Sequence, residues 1–302
     1  MSSRPNLGSR PVSGDNVARA VVMILLSGLS FSLVGVAVRM SGEVPVYEKV
    51  FFRSLVSLLV MGALAMRARE RLFASDGCSK VLLVRGAFGT LGMTLYFFAI
   101  SRLTLADAAI LNKLSPFFVA VFAVFFLRER LSRHTIPALL VAFVGAVLVI
   151  QPQLDFGAAA AVAGVLSAAA SGAAYTVVRF LRGKVSPYRV VFFFALVSCA
   201  AMTPPMLVHY VVPTSAQVLY LLAAGVFATS GQICLTLAYH QAPATKISIY
   251  NYAHVLFAFV LGLALWGEVP DAVSITGAVL IIAAAVYNHL KVVGPRTVPP
   301  PA

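Results

Sequence analysis

Charge is scarce in this sequence. Only 11% of its 302 residues are Asp, Glu, Lys or Arg, and the acidic ones number 10. A water-soluble globule carries about 25% charged residues. Together with 60% apolar residues and a mean hydropathy of +0.93, the deficit excludes that class. Cysteine is nearly absent too. Cys78, Cys199 and Cys234 form an odd set without paired spacing, read as reduced, structural thiols. No G-x-S-x-G elbow, H-E-x-x-H pair or P-loop occurs, so neither an enzyme nor an ATP-driven machine is expected, and no cofactor or metal is called for. No short apolar stretch led by Arg and closed by small residues precedes the first long apolar run, which is expected to stay as a span.

What the chain does have is apolar runs of about 18–24 residues, enough to cross a hydrocarbon core of ~30 Å. Helices are the expected solution, because each span must satisfy its own backbone hydrogen bonds. Ten spans are expected, at about 17–40, 46–66, 81–101, 104–127, 133–150, 157–180, 188–209, 216–240, 244–266 and 271–290, between polar, disordered tails at 1–16 and 291–302. A net charge of +13 would suit nucleic acid, but the cations fall in every second loop rather than on one soluble face. With the N-terminus inside, eighteen Lys and Arg, Arg85 and Arg189 among them, fall on the inner side and only Arg39, Lys49 and Arg102 on the outer. Both tails are therefore expected in the cytoplasm.

The stretch Ala99–Glu129 occurs twice. A shift of 139 residues lays Ala238–Glu268 over it without a gap, matching Asn112 to Asn251, Phe118 to Phe257 and Glu129 to Glu268. Upstream, Phe88, Thr90 and Gly92 meet Phe227, Thr229 and Gly231, and a shift of 141 brings Tyr47, Phe51, Phe52 and Ser57 onto Tyr188, Phe192, Phe193 and Ser198. Residues 17–150 and 157–290 are thus read as two copies of one five-helix unit. An odd number of spans per copy inverts the second relative to the first, the inverted repeat that places a solute site near the midplane between the halves.

Polar residues inside the spans mark that site. Asn112, Lys113, Ser115 and Pro116 interrupt the fourth span. An ionisable group there costs at least ~2.5–3.5 kcal/mol on insertion scales, so it faces a cavity or a partner. Pro116 lacks an N–H and leaves the Asn112 carbonyl without its donor. The eighth span carries Thr229, Gln232, Thr236 and Tyr239 on one stripe, and the ninth Tyr250, Asn251 and His254. Tyr96 in the third span and Ser171 and Tyr175 in the sixth complete the candidate binding set. The polar residues serve equally as helix-bridging groups at ~0.6 kcal/mol each. Gly28 and Gly35 in the first span and Gly164 and Gly172 in the sixth, with Pro116, are the candidate hinge positions, where close helix approach permits sliding. Arg53 is read as structural or gating, snorkelling or paired with Glu48. Glu129 and Glu268 are read as rim residues pairing with Arg or capping backbone. Asp107 is read as serving its helix start.

The five-plus-five duplication, the Asn112-Lys113-Leu114-Ser115-Pro116 break and the Glu129 and Glu268 helix ends resemble the drug/metabolite transporter superfamily, in its members with two EamA repeats. The likeness covers about 17–290 and extends to the bacterial amino-acid exporter branch, aromatic amino-acid exporters above all. It implies an all-α protein of ten transmembrane helices in the bacterial inner membrane, exporting amino acids or related small amphipathic metabolites from a central cavity lined by helices one, three, four, six, eight and nine. The expected partners are that solute and the surrounding lipid, with a monomer as the expected state. His254 and Val255 replace Ser115 and Pro116 in the second copy, so only one half is expected to carry the helix break. A drug or nucleotide-sugar carrier of the same superfamily stays open, as does an intramembrane enzyme or structural subunit.

Overall fold

The computed structural model describes residues 17–73, 77–127, 134–150, 156–181, 184–241 and 248–292. Among them every regular element is helical: α1 (Val17–Met40), α2 (Val46–Arg67), α3 (Ser79–Ile100), α4 (Leu105–Asn112), α5 (Ser115–Leu127), α6 (Thr135–Ile150), α7 (Phe156–Leu181), α8 (Pro187–Val208), α9 (Ser215–Gln241), a 3-10 turn (Ser248–Tyr252), α10 (Ala253–Trp266) and α11 (Ala272–Val292). Seven helices are long and apolar enough to cross a membrane, with α4 and α5 together counted as one. The fifth, ninth and tenth expected spans correspond to shorter apolar stretches, Ile136–Gly145, Tyr250–Trp266 and Ala272–Ala284.

Local chemistry sets the helix ends. Thr104 caps α4, its Oγ1 accepting from Asp107 N at 3.1 Å and donating to Asp107 Oδ2 at 2.6 Å. Ser186 precedes Pro187 and caps α8 through Arg189 N. Gly267, at φ +67°, closes α10 in the left-handed conformation.

The fourth expected span is two helices. Lys113 N and Leu114 N donate to Ile110 O and Leu111 O, three residues back, so the chain tightens into a 3-10 step before Ser115. Its counterpart 139 residues on is the 3-10 turn Ser248–Tyr252, followed by α10. This turn runs directly into α10, and the residues that would precede a matching break, 242–247, lie outside the described residues.

Each helix of the first half finds its main neighbour in the second: α1 on α9, α2 on α8, α3 on α7, α4 on α10, α5 on α7 and α6 on α11. The interface repeats itself. Ser57 Oγ bonds Thr229 Oγ1 at 2.8 Å, and their matched residues Ser198 and Thr90 bond at 2.7 Å. Gly86 faces the Val197 side chain, and its match Gly225 faces Val56. The main core gathers α3, α4 and the start of α5 around Phe97, Ile100, Leu105, Leu111, Leu114 and Phe117, with Val255 and Ala258 of α10 against them.

Candidate functional site

A cavity of about 630 Å³ lies among these helices, in the range that buries small organic ligands. Both halves line it. From α3 come Arg85, Gly89, Gly92, Met93, Tyr96 and Phe97, and from the α4–α5 break Asn112, Lys113 and Ser115. The second half supplies Ser171 and Tyr175 from α7, Gln232 from α9, and Asn251, Tyr252 and His254 around the 3-10 turn. Between the polar groups the wall is apolar, with Phe31, Val34, Phe117, Ala174 and Leu235.

The step between α4 and α5 brings polar residues to this wall: α4 ends at Asn112, α5 starts at Ser115, and Asn112, Lys113 and Ser115 all line the cavity. Lys113 Nζ then lies 6.0 Å from the centre of the Tyr252 ring, a cation on an aromatic face across the half-to-half boundary. Asn251, in the 3-10 turn, and His254, in the first turn of α10, both line the cavity. The His254 ring is buried and bonds the Phe31 backbone, while its Nδ1 has no hydrogen-bond partner. Ser32 Oγ donates to the His254 carbonyl at 3.0 Å, fixing the start of α10 to α1.

Of the expected binding residues, Lys113, Asn112, Tyr96, Gln232, Asn251, His254, Ser171 and Tyr175 come together at the cavity. Tyr250 does not. The tighter rotation of the 3-10 turn carries it away from Asn251 and His254, and it is exposed, with Tyr252 at the wall instead. The side chains of Thr236 and Pro116 lie outside the described set, as does Glu129. Thr229 bridges helices through Ser57.

The expected hinge glycines all sit at tight crossings. A Cβ on Gly28 would stand 3.3 Å from His254 N, on Gly35 2.6 Å from Leu105 Cδ1, on Gly164 2.9 Å from Leu111 Cδ1, and on Gly172 3.1 Å from both Ser115 O and Val119 N.

Two cations at the wall escape a reading by loops. Arg85, counted among the inner-side charges, is buried within α3 and faces the cavity. Arg53 lines it too and does not pair with Glu48, whose Oε1 instead accepts from Val211 N at 2.8 Å. Both guanidinium groups lie over the Phe194 ring, their carbons 4.2 Å (Arg85) and 5.3 Å (Arg53) from its centre. The signal was a stripe: Arg85, Gly89, Gly92 and Tyr96 fall at i, i+4, i+7 and i+11, one face of one helix. Glu268, read as a rim residue, pairs with Arg39 and accepts from Leu105 N at 3.0 Å.

Comparison with known proteins gives this architecture a setting. The EamA-like transporter family matches residues 18–151 and 158–288. The pseudopaline exporter CntI of Pseudomonas aeruginosa is 36% identical over 275 residues, covering 90% of this chain and 96% of that one. A riboflavin transporter of Rhizobium johnstonii is 27% identical (89% and 91% covered), and human solute carrier family 35 member G1 is 23% identical (88% and 78% covered). A solved crystal structure with 21% identity superposes with a TM-score of 0.63 over 91% of this chain and 97% of its own, a likeness of fold. The relatives named for a solute carry small molecules across membranes; with two family matches spanning both halves, this chain belongs to the EamA-like transporter family.

Proposed function

We propose that this protein exports small amphipathic metabolites, amino acids including aromatic ones, by alternating access around the cavity between two inverted halves. The observation that carries the reading is the cavity wall itself. Lys113, Asn112, Gln232 and Asn251 place a cation and three amides inside a lipid-spanning bundle, beside Tyr96, Tyr252 and Phe117. Lys113 and Asn112 take the carboxylate, Gln232 and Asn251 the other polar groups, and the rings an apolar side chain. Inversion is supported by helix directions: Gly92 meets Ser171 and Ala99 meets Gly164, so α7 runs against α3. Short links make α1 and α3 parallel, which sets α7 against α1. The tight glycine crossings supply surfaces on which pairs of helices rock. The charge asymmetry favours a bacterial inner membrane with both tails cytoplasmic, and removing Arg85 from the inner count leaves that bias intact. Solute leaving down its own gradient requires no titrating carrier, and uniport is the simplest mode.

The test is flux of a labelled amino-acid panel in liposomes, with and without a pH gradient. Lys113→Ala is expected to lower kcat/KM by about tenfold or more, the loss of one charged hydrogen bond to a carboxylate. Normal flux in that variant removes the assignment. A second reading rests on the 36% identity to a pseudopaline exporter, together with a cavity roomy enough for a larger cargo than one amino acid. Drug and nucleotide-sugar solutes belong in the same panel, since an amino-acid exporter ignores large sugars.

A further inference from the structure

Resting on the export reading, we infer a second anion-binding subsite in the same cavity, formed by Arg53 and Arg85 about the Phe194 ring, so that the cargo carries two acidic groups rather than one. Arg85 is 8% exposed, yet its Nε and Nη1 have no hydrogen-bond partner, and neither has Arg53 Nη1. Among the described residues neither guanidinium forms an ion pair. Both guanidinium carbons lie over the Phe194 ring, an apolar partner that takes up none of the unpaired donors Arg85 Nε, Arg85 Nη1 and Arg53 Nη1. Gly89 makes the seat possible, because a Cβ there would collide with Arg85 Nη1 and with the Phe194 ring. Two uncompensated cations facing one cavity wall are a receptor for an anion, and the planar forks fit a carboxylate.

The spacing says that this is a separate subsite. Gly164 packs on Leu111 and Gly172 on Ser115 and Phe118, while Ser167 and Ser171 between them meet Gly92. Lys113 is therefore level with Gly92 along the bundle. The Arg85 backbone lies seven residues away along α3, about 10 Å at 1.5 Å per residue, and its guanidinium reaches back to Gly89, about 4.5 Å from the level of Gly92. The wall between them is Met93, Phe117, Ala174 and Val119, which suits an apolar linker. The cargo that fits is an amino acid or amino-acid derivative with a second carboxylate at the far end of a short chain.

The test uses the full chain and two solutes of equal length, 2-aminosuberate and 2-aminooctanoate, which differ in the terminal carboxylate alone. Flux in liposomes and thermal stabilisation in detergent are both measured. The wild type is expected to prefer 2-aminosuberate by about tenfold, because a site built for a charged partner rejects the analogue that lacks it. Arg85→Gln and Arg53→Gln each bring the ratio towards one, and Arg85→Lys keeps part of it. No preference in the wild type, or an unchanged ratio in both Gln variants that elute as folded protein, overturns the subsite. Inorganic phosphate raising 2-aminooctanoate flux to the 2-aminosuberate level also overturns it, by making the second anion a separate ion. If stabilisation is selective but neither solute moves, the subsite stands and the export reading fails.

Discussion

Glu268 divides its two oxygens between a backbone amide and a cation. Oε2 satisfies the first N–H of α4, and Oε1 pairs with Arg39, whose guanidinium carbon lies 4.6 Å from the centre of the Trp266 ring. Three chain segments, the ends of α1 and α10 and the start of α4, are joined through one carboxylate. Glu268→Ala is expected to lower stability by about 2 kcal/mol, in line with a hydrogen bond to a charged group. Glu268→Gln keeps an acceptor for Leu105 N and is expected to cost about half of that. Thermal melts in detergent check the order, and equal losses would mean that the amide contact contributes nothing. At this scale the sequence was readable where a residue type was expensive in its setting. Lys113 and Asn112 had to face a cavity or a partner, and both line the cavity. Arg85 was missed because a charge near a helix end is read first as a loop charge, and only its periodicity with Gly89, Gly92 and Tyr96 separates the two readings. Tyr250 was misplaced because a 3-10 turn and an α-helix present different sides from the same residues.

At the scale of elements, the crossing of α5 on α7 is the most constrained. A methyl on Gly172 would stand 3.1 Å from two backbone atoms, Ser115 O and Val119 N, which have no rotamer to yield. Gly172→Ala is therefore expected to destabilise the protein by about 1–3 kcal/mol through overpacking, and Gly172→Val by more. A melt equal to wild type would show that α5 shifts freely at this crossing. Since the crossing starts at the α4–α5 break, flux in the Ala variant should fall with the melt. Helix positions were legible in apolar run length, and the α4–α5 break in Asn112-Lys113 and Pro116. The 3-10 turn Ser248–Tyr252 has no comparable local signal, because it tightens within a stretch whose composition reads as helix.

At the scale of the molecule, the link after α1 and the link after α7 occupy matched places in the two halves, with Glu43 and Lys184 exposed in them. If the halves are inverted, cysteines placed at these two positions, in a chain lacking Cys78, Cys199 and Cys234, are labelled by a membrane-impermeant reagent from opposite faces. Labelling of both from one face rejects the inverted arrangement. The duplication was visible in matched Asn, Glu and Tyr positions because those types are rare among Ala, Leu and Val. How the copies dock was not visible, since a hydroxyl in a span states no partner, and only the assembled bundle joins Ser57 to Thr229 and Thr90 to Ser198.

That reciprocal docking reaches back to synthesis. Every helix of the first half leans on one that is translated later, so as the chain emerges the early spans enter lipid with their chosen neighbours still unmade. Ser57 and Thr90 wait there with only their own helices to bond, and the small-residue seats stand open. The first half therefore completes its packing only after the second half has been made.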